Sequence, residues 1–140
     1  MNETDKKKII SKHIEKHSFG MIGVSPKKDS LEQEIVRISH KGNLELIFDT
    51  VKKNNKYKNL KKNPEIALAI GWSDITIEYE GLAYELEGSE KDEYQKIHLL
   101  KIPNQLEFIN GEVTLFKVTP KWVKCSDSTK EPPEVLEMSF

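Results

Sequence analysis

FDTVKKNNKYKNLKKNPEIAL, from Phe48 to Leu68, decides how the rest of the chain is read. It opens as the end of a strand and stops at Asp49-Thr50. A polar loop then leads into a short basic helix. Asn63-Pro64 ends that helix, because a residue before proline is pushed out of the α region, and a new strand follows. Asn54 and Asn55 are good N-cap residues, so the loop presents free backbone N–H groups. Lys56 beside a helix N-terminus makes a ready anion site, and phosphate suits it best. The competing reading is a solvated connector whose lysines keep the chain soluble.

Upstream of this stretch, residues from about Thr4 to His17 read as an amphipathic helix, with Ile10 and Ile14 one turn apart. His13 and His17 have the same spacing. A zincin needs glutamate directly after its first histidine, and Ile14 stands there, so an exposed polar face is expected instead of a metal site. Phe19 to Ser25 reads as a first strand, Pro26 to Ser30 as a polar turn, and Leu31 to His40 as a long second strand. Leu31, Gln33, Ile35 and Arg37 share one face of that strand. Glu34, Val36 and Ile38 share the other. Neither face is purely apolar, as expected for a barrel strand with one face at an interface or a ligand. Lys41-Gly42-Asn43 predicts a tight hairpin in which Gly42 and Asn43 take positive φ. Leu44 to Thr50 returns as the third strand.

Downstream, Glu65 to Gly71 is mostly apolar, and both its faces are expected to be covered. Trp72 is expected to pack at the following hairpin end. A fifth strand runs from Ile75 to Leu86, where Gly81 suggests a bulge or a close backbone approach. Ser89 is expected to cap a helix to about Leu100, with Asp92 in the reciprocal capping position and Tyr94, Ile97 and Leu100 as the buried stripe. Pro103 stops it. The last long strand is expected from about Gly111 to Trp122. A polar region follows, and PPEVLEMSF docks as an edge piece.

These elements predict a mainly β chain with flanking helices: a six-stranded antiparallel split β-barrel. The 140 residues fit one domain, with an N-terminal helix (about 4–17) and a C-terminal tail (about 126–140). Charged residues make up 32% of the chain and cancel to a net charge of -1, which speaks against a dedicated nucleic-acid binder. A single cysteine, Cys125, excludes an intramolecular disulfide. Lys121 and Lys124 would lower the pKa of its thiol, although a bystander role is the expected one. No apolar run is long enough to span a bilayer and the N-terminus is charged, so a cytoplasmic, membrane-free protein is expected.

The ordered set Phe48, Thr50, Asn54-Asn55-Lys56, Asn59-Leu60, Asn63-Pro64 and Gly81-Leu82-Ala83 resembles the pyridoxamine 5′-phosphate oxidase-like family of FMN-binding split barrels. PKWVKCSD, from Pro120 to Asp127, and the PPEVLEMSF tail extend the similarity, so it covers roughly Phe19 to Phe140. The resemblance implies a homodimer with FMN at the subunit interface. It implies that Asp49 and Thr50 touch the flavin or its ribityl chain, and that Asn54, Asn55 and Lys56 hold the phosphate. Thr76 matches a flavin-contacting position. Trp122 and Lys124 match residues near the cofactor, contributed by the partner subunit. The second strand around Gln33 to Val36 should run past the flavin ring.

The sequence departs from the family pattern at three of these positions. Asn54 stands where Ser is usual, which keeps hydrogen bonding but changes its reach. Asn55 replaces an Arg and removes a phosphate charge partner. Lys124 in place of Arg loses a planar fork. The Arg- and His-containing signature of true pyridoxamine phosphate oxidases near the C-terminus is absent.

Function follows as an FMN-dependent oxidoreductase acting on a small molecule, with a nicotinamide or oxygen as redox partner. The alternative is a non-catalytic flavin or haem binder on the same fold, with His40 and His98 as candidate axial ligands. A third reading has Lys52, Lys53, Lys56, Tyr57, Lys58, Lys61 and Lys62 tracking a nucleic acid or a protein.

Overall fold

The computed structural model describes residues 1–27, 30–102 and 111–140, with side chains throughout except at 25–32. In chain order the elements are α1 (Glu3–Glu15), β1 (Phe19–Lys27), β2 (Ser30–Gly42), β3 (Glu45–Val51), α2 (Asn55–Lys62), β4 (Glu65–Trp72), β5 (Ile75–Glu85), α3 (Gly88–Lys101), β6 (Val113–Asp127) and β7 (Glu134–Ser139). The turn expected at Pro26 to Ser30 is shorter than that, since β1 runs on to Lys27 and β2 starts at Ser30, its ladder partner. Residues 28–29 and the stop expected at Pro103 lie outside the described residues.

The strands form one antiparallel sheet in the order β3-β2-β1-β4-β5-β6-β7. A further β3–β6 ladder, with Phe48 opposite Phe116, closes the first six of these strands into a barrel. The six-stranded split barrel expected from sequence is therefore the observed architecture. β7 is added along β6, with Leu136 opposite Cys125, so the PPEVLEMSF tail does dock at an edge.

The barrel is filled from every strand. Ile22, Val36, Ile38, Leu46, Phe48, Leu68, Ile70, Ile77, Tyr79, Phe116 and Val123 belong to one buried cluster. Ile10 and Ile14 of α1 join it, as their one-turn spacing predicts. Asn2 caps α1 by accepting from the Asp5 N–H at 2.8 Å. The helix ends at Glu15, so His17 lies beyond it. Leu60 of α2 is also in the core. Asn63 ends α2 in an extended conformation, and its side chain accepts from the Glu65 N–H at 3.1 Å. A smaller cluster of Ile47, Leu86, Tyr94 and Leu115 packs α3 against the outside of β3 and β6.

The hairpin between β2 and β3 has the expected backbone, with φ of 137° at Gly42 and 51° at Asn43. Leu44 follows with φ of 62°, uncommon for a branched residue. Both its peptide groups are held: its N–H donates to His40 Nε2 at 3.2 Å, and its carbonyl accepts from the Tyr79 hydroxyl at 2.7 Å. The β5–β6 register slips between Glu80 and Gly81. A Cβ on Gly81 would lie 2.5 Å from the Thr119 carbonyl oxygen, so the close approach read from sequence is real.

Several expectations are corrected. α3 begins at Gly88 with Glu87 as N-cap and no side-chain capping bond, so Ser89 and Asp92 form no capping box. Leu100 is 87% exposed, and the buried positions of α3 are Tyr94 and His98. The helix is thus rotated relative to the apolar stripe, because His98 finds buried polar partners that Leu100 would not need. β6 runs from Val113 to Asp127 and not to Trp122, because β5 and β7 supply ladders on both of its sides that far. β4 is not covered on both faces: Ile66, Leu68 and Ile70 are buried while Ala67 is exposed. Trp72 is 60% exposed and no packed hairpin end.

Candidate functional site

β3, α2 and the N-cap of α2 carry five of the residues singled out from sequence. Successive side chains on a strand point to opposite faces, so Asp49 and Thr50 do not share one. Thr50 has the parity of Phe48 and the barrel interior. Asp49 has the parity of Ile47 and faces α3. The Thr50 hydroxyl is buried and has no hydrogen-bond partner among the described residues. A buried hydroxyl with no partner is costly, and a bound molecule with a polar group would relieve it.

Asp49 is the centre of a buried network that sequence reasoning missed. One carboxylate oxygen accepts from Arg37 Nη2 at 2.7 Å and Nε at 3.2 Å. The other meets His98 Nε2 at 2.7 Å, and His98 Nδ1 meets the Ser39 hydroxyl at 2.7 Å. Burial would raise the Asp49 carboxyl, but the hydrogen bonds and charges of His98 and Arg37 outweigh it and hold the group below its ordinary value. Serine, histidine and aspartate also make up a nucleophilic triad. There, however, Nε2 faces the serine and Nδ1 the aspartate; here the ring is reversed and Ser39 is fully buried. The group acts as a clasp between α3 and the barrel. The hairpin turn does not reveal the Arg37 partner: a register shift between His40 and Gly42 offsets the pairing by one, so counting outward from the turn would set Arg37 opposite Thr50 instead of Asp49. Nothing local could place His98.

Lys56 lies in the first turn of α2, only 3% exposed. Its ammonium is 3.2 Å from Glu34 Oε2 of β2. Burial pulls its pKa down, and the charges of Glu34 and Asp49 oppose that pull. Asn54 is the N-cap in an extended conformation, and its side chain makes no capping bond. Asn55 is the first residue of α2. The neighbouring basic residues do not form one free patch: Lys61 and the Tyr57 hydroxyl each bond Glu85 at 3.0 Å.

Thr76, Trp122 and Lys124 lie elsewhere, on the outer face of β5 and β6. Thr76 is opposite Ser126, Glu80 opposite Trp122 and Glu78 opposite Lys124. Trp122 Nε1 donates to Glu137 at 2.7 Å, and Lys124 lies 4.0 Å from Glu78. This face continues across the sheet through Ala67, Ala69, Met21 and Gly23 to Gln33 and Ile35. A groove of about 260 Å³ runs along it, lined by Met21, Gly23, Gln33, Ala67, Ala69 and Trp122 among others. Phe19, Met21 and Ile35 are exposed beside it. One chain therefore sorts the eight predicted residues into two groups on different parts of the barrel.

No group of three or more metal-ligating side chains is found among the described residues, which include His13 and His17. Burial pushes the Cys125 thiol up to about 11, so the nearby lysines do not activate it. Both ring nitrogens of His98 are engaged, and so are those of His40, with Glu15 at 3.3 Å and the Leu44 N–H. No helix among the described residues is long and apolar enough to cross a membrane.

Comparison with known proteins agrees with this architecture. No curated protein sequence matches the chain. Among solved structures, general stress protein 26 of Bacillus anthracis superposes with a TM-score of 0.69 at 20% identity, over 99% of this chain and 100% of that one. A pyridoxamine 5′-phosphate oxidase-related, FMN-binding protein of Nostoc punctiforme gives 0.71 at 9% identity, over 100% and 97%. A haem-binding protein of Mycobacterium smegmatis gives 0.78 at 13% identity, over 99% of this chain but 59% of that one. At these identities the likeness is one of fold. The sequence profile of pyridoxamine 5′-phosphate oxidase matches residues 9–126, most of the chain, and the chain belongs to that family.

Proposed function

We propose that this protein is a homodimeric FMN-dependent oxidoreductase acting on a small molecule, with FMN held between subunits. The observation that carries this reading is a buried Lys56 ammonium at the start of α2, with a buried, unsatisfied Thr50 hydroxyl six residues before it on β3. A phosphate needs charge and several donors. Lys56 gives the charge, and Asn54, Asn55 and the first backbone N–H groups of α2 give the donors. These residues fit a flavin phosphate. Bound FMN would supply hydride chemistry; the protein supplies position and electrostatics.

Dimerisation would complete the site. The exposed Phe19, Met21 and Ile35 with the small Gly23, Ala67 and Ala69 form a surface suited to burial against a second copy. Such packing would bring Thr76, Trp122 and Lys124 of one subunit toward β3 and α2 of the other. It would also cover the open face of β4, whose apolar composition suggests burial. Met21→Lys is expected to convert a micromolar dimer to monomer, read by sedimentation; an unchanged dimer would place the interface elsewhere.

Haem is the second reading on this fold, but the engaged ring nitrogens of His40 and His98 leave neither of them an open coordinating atom. Titration with FMN and with haem, followed by flavin fluorescence and Soret absorbance, separates the two. FMN is expected to bind at one site per subunit. Lys56→Ala is expected to weaken it about tenfold to a hundredfold, the worth of one charge-assisted contact. Unchanged affinity would remove Lys56 from the phosphate site.

A further inference from the structure

Resting on the flavin reading, we infer that Glu34 is a built-in stand-in for the ligand's phosphate, occupying Lys56 until a phosphate group displaces it. Lys56 is almost fully buried, and a buried ammonium without a counter-ion is costly. Glu34 Oε2 meets that need at 3.2 Å. The two partners differ sharply in exposure: the Glu34 side chain is 45% exposed and Lys56 3%. The carboxylate reaches in from the solvent side while the ammonium stays fixed. Exchange therefore needs only a rotation of Glu34 outward, with no rearrangement of α2.

Charge decides the exchange. A phosphate monoester brings more negative charge and more acceptor oxygens than one carboxylate, so it is the stronger partner for Lys56. The two cannot share the ammonium comfortably, because like charges a few ångströms apart repel. Asp49 is not a competing stand-in, since its carboxylate is held by Arg37 and His98. Glu34 thus sets the affinity of the site for phosphate through Lys56. A ligand lacking phosphate would leave the Glu34–Lys56 pair intact.

The test compares wild type, Glu34→Gln, Lys56→Met and the double variant, each titrated with FMN, riboflavin and inorganic phosphate. Fluorescence follows the flavins, and thermal unfolding follows phosphate. Glu34→Gln is expected to bind FMN about tenfold more tightly while riboflavin affinity stays the same. Its unliganded melting temperature should fall, because Lys56 has lost its counter-ion, and inorganic phosphate should restore it. That rescue should vanish in the Glu34→Gln, Lys56→Met double variant. Glu34→Asp, too short to hold the contact, carries the same expectation at smaller size if Glu34→Gln is too unstable to titrate.

Equal or weaker FMN binding by Glu34→Gln overturns the inference, as does a phosphate response that ignores Lys56. If no variant takes up FMN but phosphate still rescues Glu34→Gln through Lys56, the flavin reading falls and the anion-exchange inference stands. If phosphate also has no effect, the inference falls with it.

Discussion

Asp49→Asn is expected to cost about 3 kcal/mol of stability at neutral pH, the usual penalty for removing one partner of a buried charged pair. The substitution removes the charge that faces Arg37 and leaves His98 Nε2 without its carboxylate. The sign of its pH dependence follows from the lowered pKa of Asp49. A carboxyl that ionises more readily folded than unfolded contributes stability above its unfolded pKa, about 3.9. That contribution disappears as pH falls through the lower folded value. Urea unfolding of both proteins at pH 7 and near pH 3 should show a wide gap that narrows in acid. A gap of equal size at both pH values would mean that the network owes little to the Asp49 charge.

Phe48→Ala is expected to cost about 4 kcal/mol, as large-to-small changes in closed cores do. Phe48 is fully buried and stacks on Phe116, with ring centroids 5.3 Å apart and planes 5° from parallel. Tyr57 meets Phe116 edge-on at 6.0 Å, so one truncation loosens β3, β6 and α2 together. Leu100→Ala is the matched control. The 87% exposure of Leu100 predicts a change within about 0.5 kcal/mol, whereas the apolar stripe read from sequence would have made it costly. Thermal or urea unfolding decides between these two pictures of α3.

The barrel was legible because its punctuation is local. Gly42 and Asn43 announce a hairpin, Asn63-Pro64 a helix end, and Gly81 a close approach, each from the conformational limits of one or two residues. The ordered motifs then named the family. What stayed hidden depends on what packs against an element and not on the element itself. Leu100 looks like core until α3 is seen to turn His98 inward toward Ser39 and Asp49. Apolar β4 looks doubly covered because a sequence does not say whether its cover is the same chain or another.

The candidate site was legible in part for the same reason. Lys56 and the start of α2 are contiguous in sequence and were read together with Thr50. Glu34, the residue that sits on Lys56, lies in another strand, and only the register of β2 brings it there. Thr76, Trp122 and Lys124 entered by resemblance alone, and one chain does not bring them to Lys56.

The ladder between β3 and β6 has a consequence for how the chain is made. A ribosome releases the polypeptide from its N-terminal end, so β1 to β5 emerge before the strand that joins β3 to β5 exists. Until residues 113–127 are free, both of those strands present unpaired edges and the Phe48 ring has no Phe116 to stack on. Closure is therefore a late event built on contacts distant in sequence, the kind that folds slowly and leaves sticky edges open meanwhile. Nascent chains stalled before β6 should thus depend on chaperones, and release of that one strand converts an aggregation hazard into a closed barrel.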